Sequence, residues 1–245
     1  MQKYDKKIRK FQKGNVLFII LISIALFSAL TYTMARTSRT VSYSKDSDDH
    51  AKIQEVLSFA EKVTSAIGRI HFQNDCRTSQ ITFTQEIGDG YENIASPNDE
   101  RCNVFSYKGG AVKYLTPPEQ LLDNSHSTDE LFGEYIFTGN VCLDKIGTGT
   151  VDDSCEDDGI QNEELILFLP WVKETVCRTI NSILSNPTLL EDVGTSFDNT
   201  KFNGNFSDGF AISDSLGGKT YNIGCFKSNI SPDEGYHFYY TLLEK

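Results

Sequence analysis

Neither glycine nor proline occurs between Gly14 and Gly68, and no charged residue between Lys13 and Arg36. The first absence leaves nothing to break a helix over more than fifty positions, and the second describes a segment that avoids water. Bases are also scarce beyond the start. Six of the 23 Lys and Arg residues (Lys3, Lys6, Lys7, Arg9, Lys10, Lys13) fall within residues 1–13, so the rest carries 17 bases against 33 acids. An acidic body of this kind excludes non-specific nucleic-acid binding, which needs a basic face. The sequence also has no C-x-x-C, no G-x-S-x-G, no H-E-x-x-H, no P-loop and no G-x-G-x-x-G unit. His50, His71, His126 and His237 share no motif with a nucleophile, so no catalytic residue is assigned and the chain reads as a non-enzyme.

What is present begins with an apolar run. Val16 to Leu30 reads VLFIILISIALFSAL, polar only at Ser23 and Ser28, and TYTMA continues it to Ala35. About 20 such residues cross a bilayer as a helix. With the bases ahead of the run, the N-terminus is expected in the cytoplasm and everything beyond on the far side of the membrane. Three fates are open: a secretory signal cut after Ala35, a permanent anchor, or a signal cut ahead of the apolar run.

Beyond it, Ile53, Val56, Leu57, Ala60, Val63, Ile67 and Ile70 recur at helical spacing. The pattern predicts one long helix from Asn15 to about Ile70, or two with a joint near residues 44–49. The divisions expected are a basic leader (1–14), a transmembrane helix (15–35), an amphipathic helix continuing it (36–70) and an exported globular domain (71–245).

Within that domain, residues 81–84, 104–107, 111–115 and 134–137 alternate like strands, with a turn at Lys108-Gly109-Gly110. Residues 163–184 have helical character and are read as a helix to Leu169, broken by Pro170, and another from Trp171 to Leu184. The stretch Gly235–Leu243 reads as a buried strand. The fold class is therefore α+β: a long N-terminal helix, transmembrane then amphipathic, packed on an antiparallel sheet with an inserted helical unit.

All six cysteines (Cys76, Cys102, Cys142, Cys155, Cys177, Cys225) lie beyond the apolar run. An even number on the exported side predicts three disulfides. Fifteen pairings are possible; chain order favours 76–102, 142–155 and 177–225. Between them Asp152, Asp153, Glu156, Asp157 and Asp158 form an acidic loop. Asp152, Asp153, Glu156 and Asp158 are candidate calcium ligands, although the spacing is not that of an EF-hand, and a solvated acidic loop is the alternative. No other cofactor is expected.

The basic leader ending in Lys13-Gly14, followed by an apolar run continuous with an amphipathic helix, resembles the prepilin-like proteins of type IV pili and type II secretion. The resemblance covers about residues 6–70. It implies cleavage between Gly14 and Asn15. It also implies a bacterial inner-membrane protein whose domain is periplasmic or extracellular, with other pilin-like subunits as partners through the N-terminal helix. The fifth mature residue is Ile19 where most members have Glu, which points to a minor pilin-like or pseudopilin-like subunit. The alternative is a single-pass, membrane-anchored periplasmic binding or scaffold domain.

Overall fold

The computed structural model describes residues 20–28, 43–143, 163–184, 199–207, 210–212, 221–229, 231 and 233–244. The chain divides into two units, Met1–Ser47 and Asp48–Lys245. In the first, residues 20–28 are helical. Their large apolar side chains are exposed, Leu26 at 64% and Phe27 at 74%. Among the described residues no helix is long and apolar enough to cross a membrane. The rest of the expected 15–35 span lies outside them, as do Gly14, Asn15 and residues 36–42.

Helix α1 runs from Tyr43 to Gln73, 31 residues, or about 46 Å. All seven residues of the sequence stripe are buried, joined by Phe59 and Ala66. Phe59 stacks on Tyr135 at 4.7 Å and meets Tyr114 edge-on at 6.0 Å. The helix ends where Asp75 takes a left-handed conformation (φ 52°). Cys76, whose amide bonds back to the Ile70 carbonyl, is then tied to Cys102.

The sheet contains β1 (Ile136–Leu143), β2 (Glu163–Val172), β3 (Phe210–Ile212), β4 (Ile223–Ser228) and β5 (Gly235–Leu243). Their order is β3-β1-β2-β5-β4. The pairs β1–β2, β2–β5 and β5–β4 are antiparallel, and short β3 runs parallel to β1 at the edge. Helix α2 (Glu174–Ile183) follows β2 directly. The described architecture is thus α+β on a mainly antiparallel sheet.

Residues 163–184 correct the expectation of two helices: the first half is the central strand β2. Every residue of β2 is buried. Leu165, Leu167 and Leu169 belong to the core that contains α1, whereas Ile166 and Phe168 belong to the core of the opposite face. A strand covered on both faces has no polar alternation and looks like a buried helix in sequence. Pro170 fits because it sits in the irregularity between Leu169↔Phe238 and Val172↔Tyr236, where no ladder bond needs its missing N–H.

Residues 81–84, 104–107 and 111–115 are likewise corrected. They form no strands, only an isolated bridge, Thr82↔Asn103. A few isolated backbone bonds remain, such as Val104 to Thr82 and Val112 to Val104, and side chains supply others. Asn93 Nδ2 donates to the carbonyls of Ser79 and Ile81, both at 2.8 Å, and Asn103 Nδ2 donates to that of Thr84 at 2.8 Å. Thr82 Oγ1 donates to the Tyr91 carbonyl at 2.7 Å. Asn and Thr offer the chain this alternative to a ladder. The turn at 108–110 is present, and a Cβ on Gly110 would lie 2.2 Å from the Val104 carbonyl oxygen.

Cys177 of α2 is bonded to Cys225 of β4. Beside it Asn181 Nδ2 donates to the Cys225 carbonyl and Oδ1 accepts from the Cys225 amide, both at 2.9 Å. One side chain therefore replaces a neighbouring strand at this edge of β4. Cys142 is also disulfide-bonded; Cys155, paired with it in the expectation, lies outside the described residues.

Candidate functional site

An aromatic-walled hollow of about 690 Å³ opens among the described residues and is lined by Glu86, Asp89, Tyr91, Tyr114, Glu134 and Lys201 among others. Its wall is built by one carboxylate. Asp89 Oδ2 accepts from the Gln85 amide at 2.6 Å and Oδ1 accepts from the Tyr91 amide at 2.9 Å, which cinches the loop. Tyr91 is thereby turned inward, where its hydroxyl accepts from the Phe137 amide at 3.1 Å. Lys201 Nζ donates to the Asp89 carbonyl at 2.8 Å and lies 5.2 Å from the Tyr91 ring centre.

Burial pushes the Tyr91, Tyr114 and Tyr135 phenols up from their ordinary value. They stay protonated at neutral pH, so none of the three is a base there. Asp89 is occupied by its loop, which leaves Glu86, Glu134 and Lys201 as the charged groups. Aromatic walls with a few polar groups suit the holding of a small polar ligand. Among the described residues that line the hollow, none pairs a nucleophile with a base.

A second grouping joins residues far apart in sequence. His126 stacks on Trp171 (5.6 Å, 16°), and His237 meets Trp171 edge-on at 6.2 Å. His126 Nδ1 lies 2.7 Å from Asp129 Oδ2. The i,i+3 spacing of His126 and Asp129 was visible in the sequence, but their meeting with Trp171 and His237 was not. His237 is fully buried. Its Nε2 faces the Asp233 carbonyl at 3.1 Å and its Nδ1 accepts from the Trp171 amide at 3.4 Å. The neutral tautomer with the proton on Nε2 satisfies both contacts, so the ring is built into the core.

Burial pushes the His237 imidazole down to about 4. Its folded value is below the unfolded one, so the stability it contributes is full above about pH 6.5 and is lost as the pH falls toward ~4. The loss amounts to about 3 kcal/mol over that window. Denaturant midpoints at about pH 7 and about pH 4.5 should differ clearly more for the unchanged protein than for His237→Gln. Equal differences would mean that the ring is not held neutral.

The expected disulfide residues Cys76, Cys102, Cys177 and Cys225 come together in two pairs. The processing residues Gly14 and Asn15 and the calcium candidates Asp152, Asp153, Glu156 and Asp158 lie outside the described residues. Among the described residues, no group of three His, Cys, Asp or Glu could hold a metal ion. At the head of β2, Glu164 is buried and accepts from the Leu143 amide at 2.8 Å, a contact no sequence pattern announced. Compared with known proteins, the chain matches no family model, no curated protein and no solved structure.

Proposed function

We propose that the chain is a non-enzymatic structural subunit of a bacterial envelope filament or secretion assembly, pilin-like or pseudopilin-like and minor in number. Residues 15–35 anchor it in the inner membrane, and its α+β head lies on the periplasmic or outer side. The observation that carries this reading is the uncharged run behind a leader with six bases, ahead of a breaker-free stretch that enters α1. Two features of the structure support it. The apolar side chains of residues 20–28 are exposed, a surface better matched to lipid or to neighbouring apolar helices than to water. The disulfides close a head in which α1 is part of the core, so a pull on the helix is passed to the whole domain.

The alternative is a tethered binding module, favoured by the aromatic hollow around Tyr91 and Tyr114. Processing separates the two. In the pilin-like reading a peptidase must fit a residue without a side chain at the cut, so Gly14→Glu should block shortening of the chain in its native membrane. Ile19→Glu should leave function intact, because a minor subunit does without that acid. A Gly14→Glu chain that is still shortened and works normally ends the pilin-like reading and leaves the tethered module.

A further inference from the structure

A groove of about 650 Å³ runs between one flank of α1 and residues 110–115. It stands apart from the hollow. Ser58, Lys62, Ser65 and Arg69 line the helical side, at the spacing of a single helical stripe. Ala66, Val112 and Leu115 supply an apolar lining, and Lys113 stands on the far rim.

Two properties of this groove have no use inside the fold. The first is charge. Lys62, Arg69 and Lys113 are exposed, and none of them forms an ion pair with a described residue. Only Glu61 opposes them in the lining. In a chain whose residues beyond 13 hold 33 acids and 17 bases, this strip is a local reversal of sign.

The second property is an open backbone. The Val112 amide donates to the Val104 carbonyl at 3.1 Å, but the amides of Lys113, Tyr114, Leu115 and Thr116 bond to no backbone carbonyl among the described residues. Residues 113–116 belong to no helix or strand, and Lys113 and Leu115 among them line the groove, so their N–H groups are left for a strand laid beside them. An unpaired edge beside an apolar trough is the arrangement in which an added strand binds. Pro117 and Pro118 end the edge, so an added strand is limited to a few residues.

We infer that this groove takes an extended acidic segment of a partner polypeptide, added as a short strand along residues 112–116. Its carboxylates meet Lys62, Arg69 and Lys113, and the apolar side chains of its other face meet Ala66 and Val112. The groove lies wholly within the head, so the inference stands whether or not the N-terminus is processed after Gly14.

The test uses the full chain in detergent and a fluorescein-labelled peptide of about eight residues alternating glutamate and valine, long enough for the groove at ~3.3 Å per residue. Anisotropy should show saturable binding that fades toward about 1 M salt, where the screening length is ~3 Å. Lys–Val peptide should not bind. The double variant Arg69→Glu, Lys113→Glu should weaken binding about tenfold or more while the melting curve stays put, because both side chains are exposed. Should that variant fold poorly, the salt titration and the Lys–Val control on the unchanged protein give the same reading. A glutamate–valine peptide N-methylated at alternate positions should lose binding, because it cannot complete the ladder. No saturable binding, equal binding of the Lys–Val peptide, or equal binding of the N-methylated peptide each overturns the inference.

Discussion

Replacing Cys177 and Cys225 together by alanine is expected to lower the stability of the head by about 4 kcal/mol, the loop-closure value for a separation near fifty residues. The observed separation is 48 residues. The bond joins α2 to β4, and among the described residues β4 has a strand partner on one side only, β5. Without the bond, the reciprocal hydrogen bonds from Asn181 to Cys225 must hold α2 to β4 with the help of packing by Val176 and Ile180. Each such bond contributes about 1 kcal/mol net, too little to replace the cross-link. Both cysteines are fully buried, so mild reductant should leave the folded protein oxidised while denaturant plus reductant should not. Urea unfolding of the double variant checks the figure. A loss below about 1 kcal/mol would mean that the cross-link hardly restricts the unfolded chain.

The second large effect is expected at Phe137. Its ring stacks on Phe83 at 4.2 Å with an interplanar angle of 5°, and meets Phe105 at 5.7 Å and Tyr91 at 5.8 Å. It therefore links β1 to the irregular residues 81–105, which have no ladder of their own to hold them. Phe137→Ala removes the ring and leaves a cavity among rigid neighbours, at a cost of about 4 kcal/mol. That is a large share of the ~5–15 kcal/mol that holds a domain folded. Phe72 is the control, being 89% exposed; Phe72→Ala should change stability by no more than about 0.5 kcal/mol. Equal effects at the two positions would mean that the aromatic cluster does not fasten this part of the chain.

What the sequence revealed follows from which signals survive burial. The α1 stripe was legible because one face is polar and the other apolar, and β5 was legible from its run of aromatic residues. β2 was misread because it is buried on both faces, which erases the alternation that marks a strand. Residues 81–84, 104–107 and 111–115 were misread for the opposite reason: their alternation is real, but Asn93, Asn103 and Thr82 take the carbonyls of Ile81, Thr84 and Tyr91, and the backbone bonds of Val104 and Val112 stay isolated. The two observed disulfides join cysteines adjacent in chain order, so nearness in sequence was a fair guide to them. The sites were much less legible. The hollow gathers residues from 85 to 201, and the groove sets a helix flank against a segment about fifty residues further on. Contacts at such separations leave no local pattern. The basic character of the groove was hidden as well, because the surrounding acids dominate any count taken along the chain.

The proposal for function rests on the fate of the first fourteen residues, and mass spectrometry of the N-terminal peptide tests it most directly. The protein should be recovered from its native membrane, without overexpression of the chain, and its N-terminus read. The account predicts a chain that begins at Asn15, the residue after Gly14. A chain that retains Met1, or one that begins at Arg36, would contradict it.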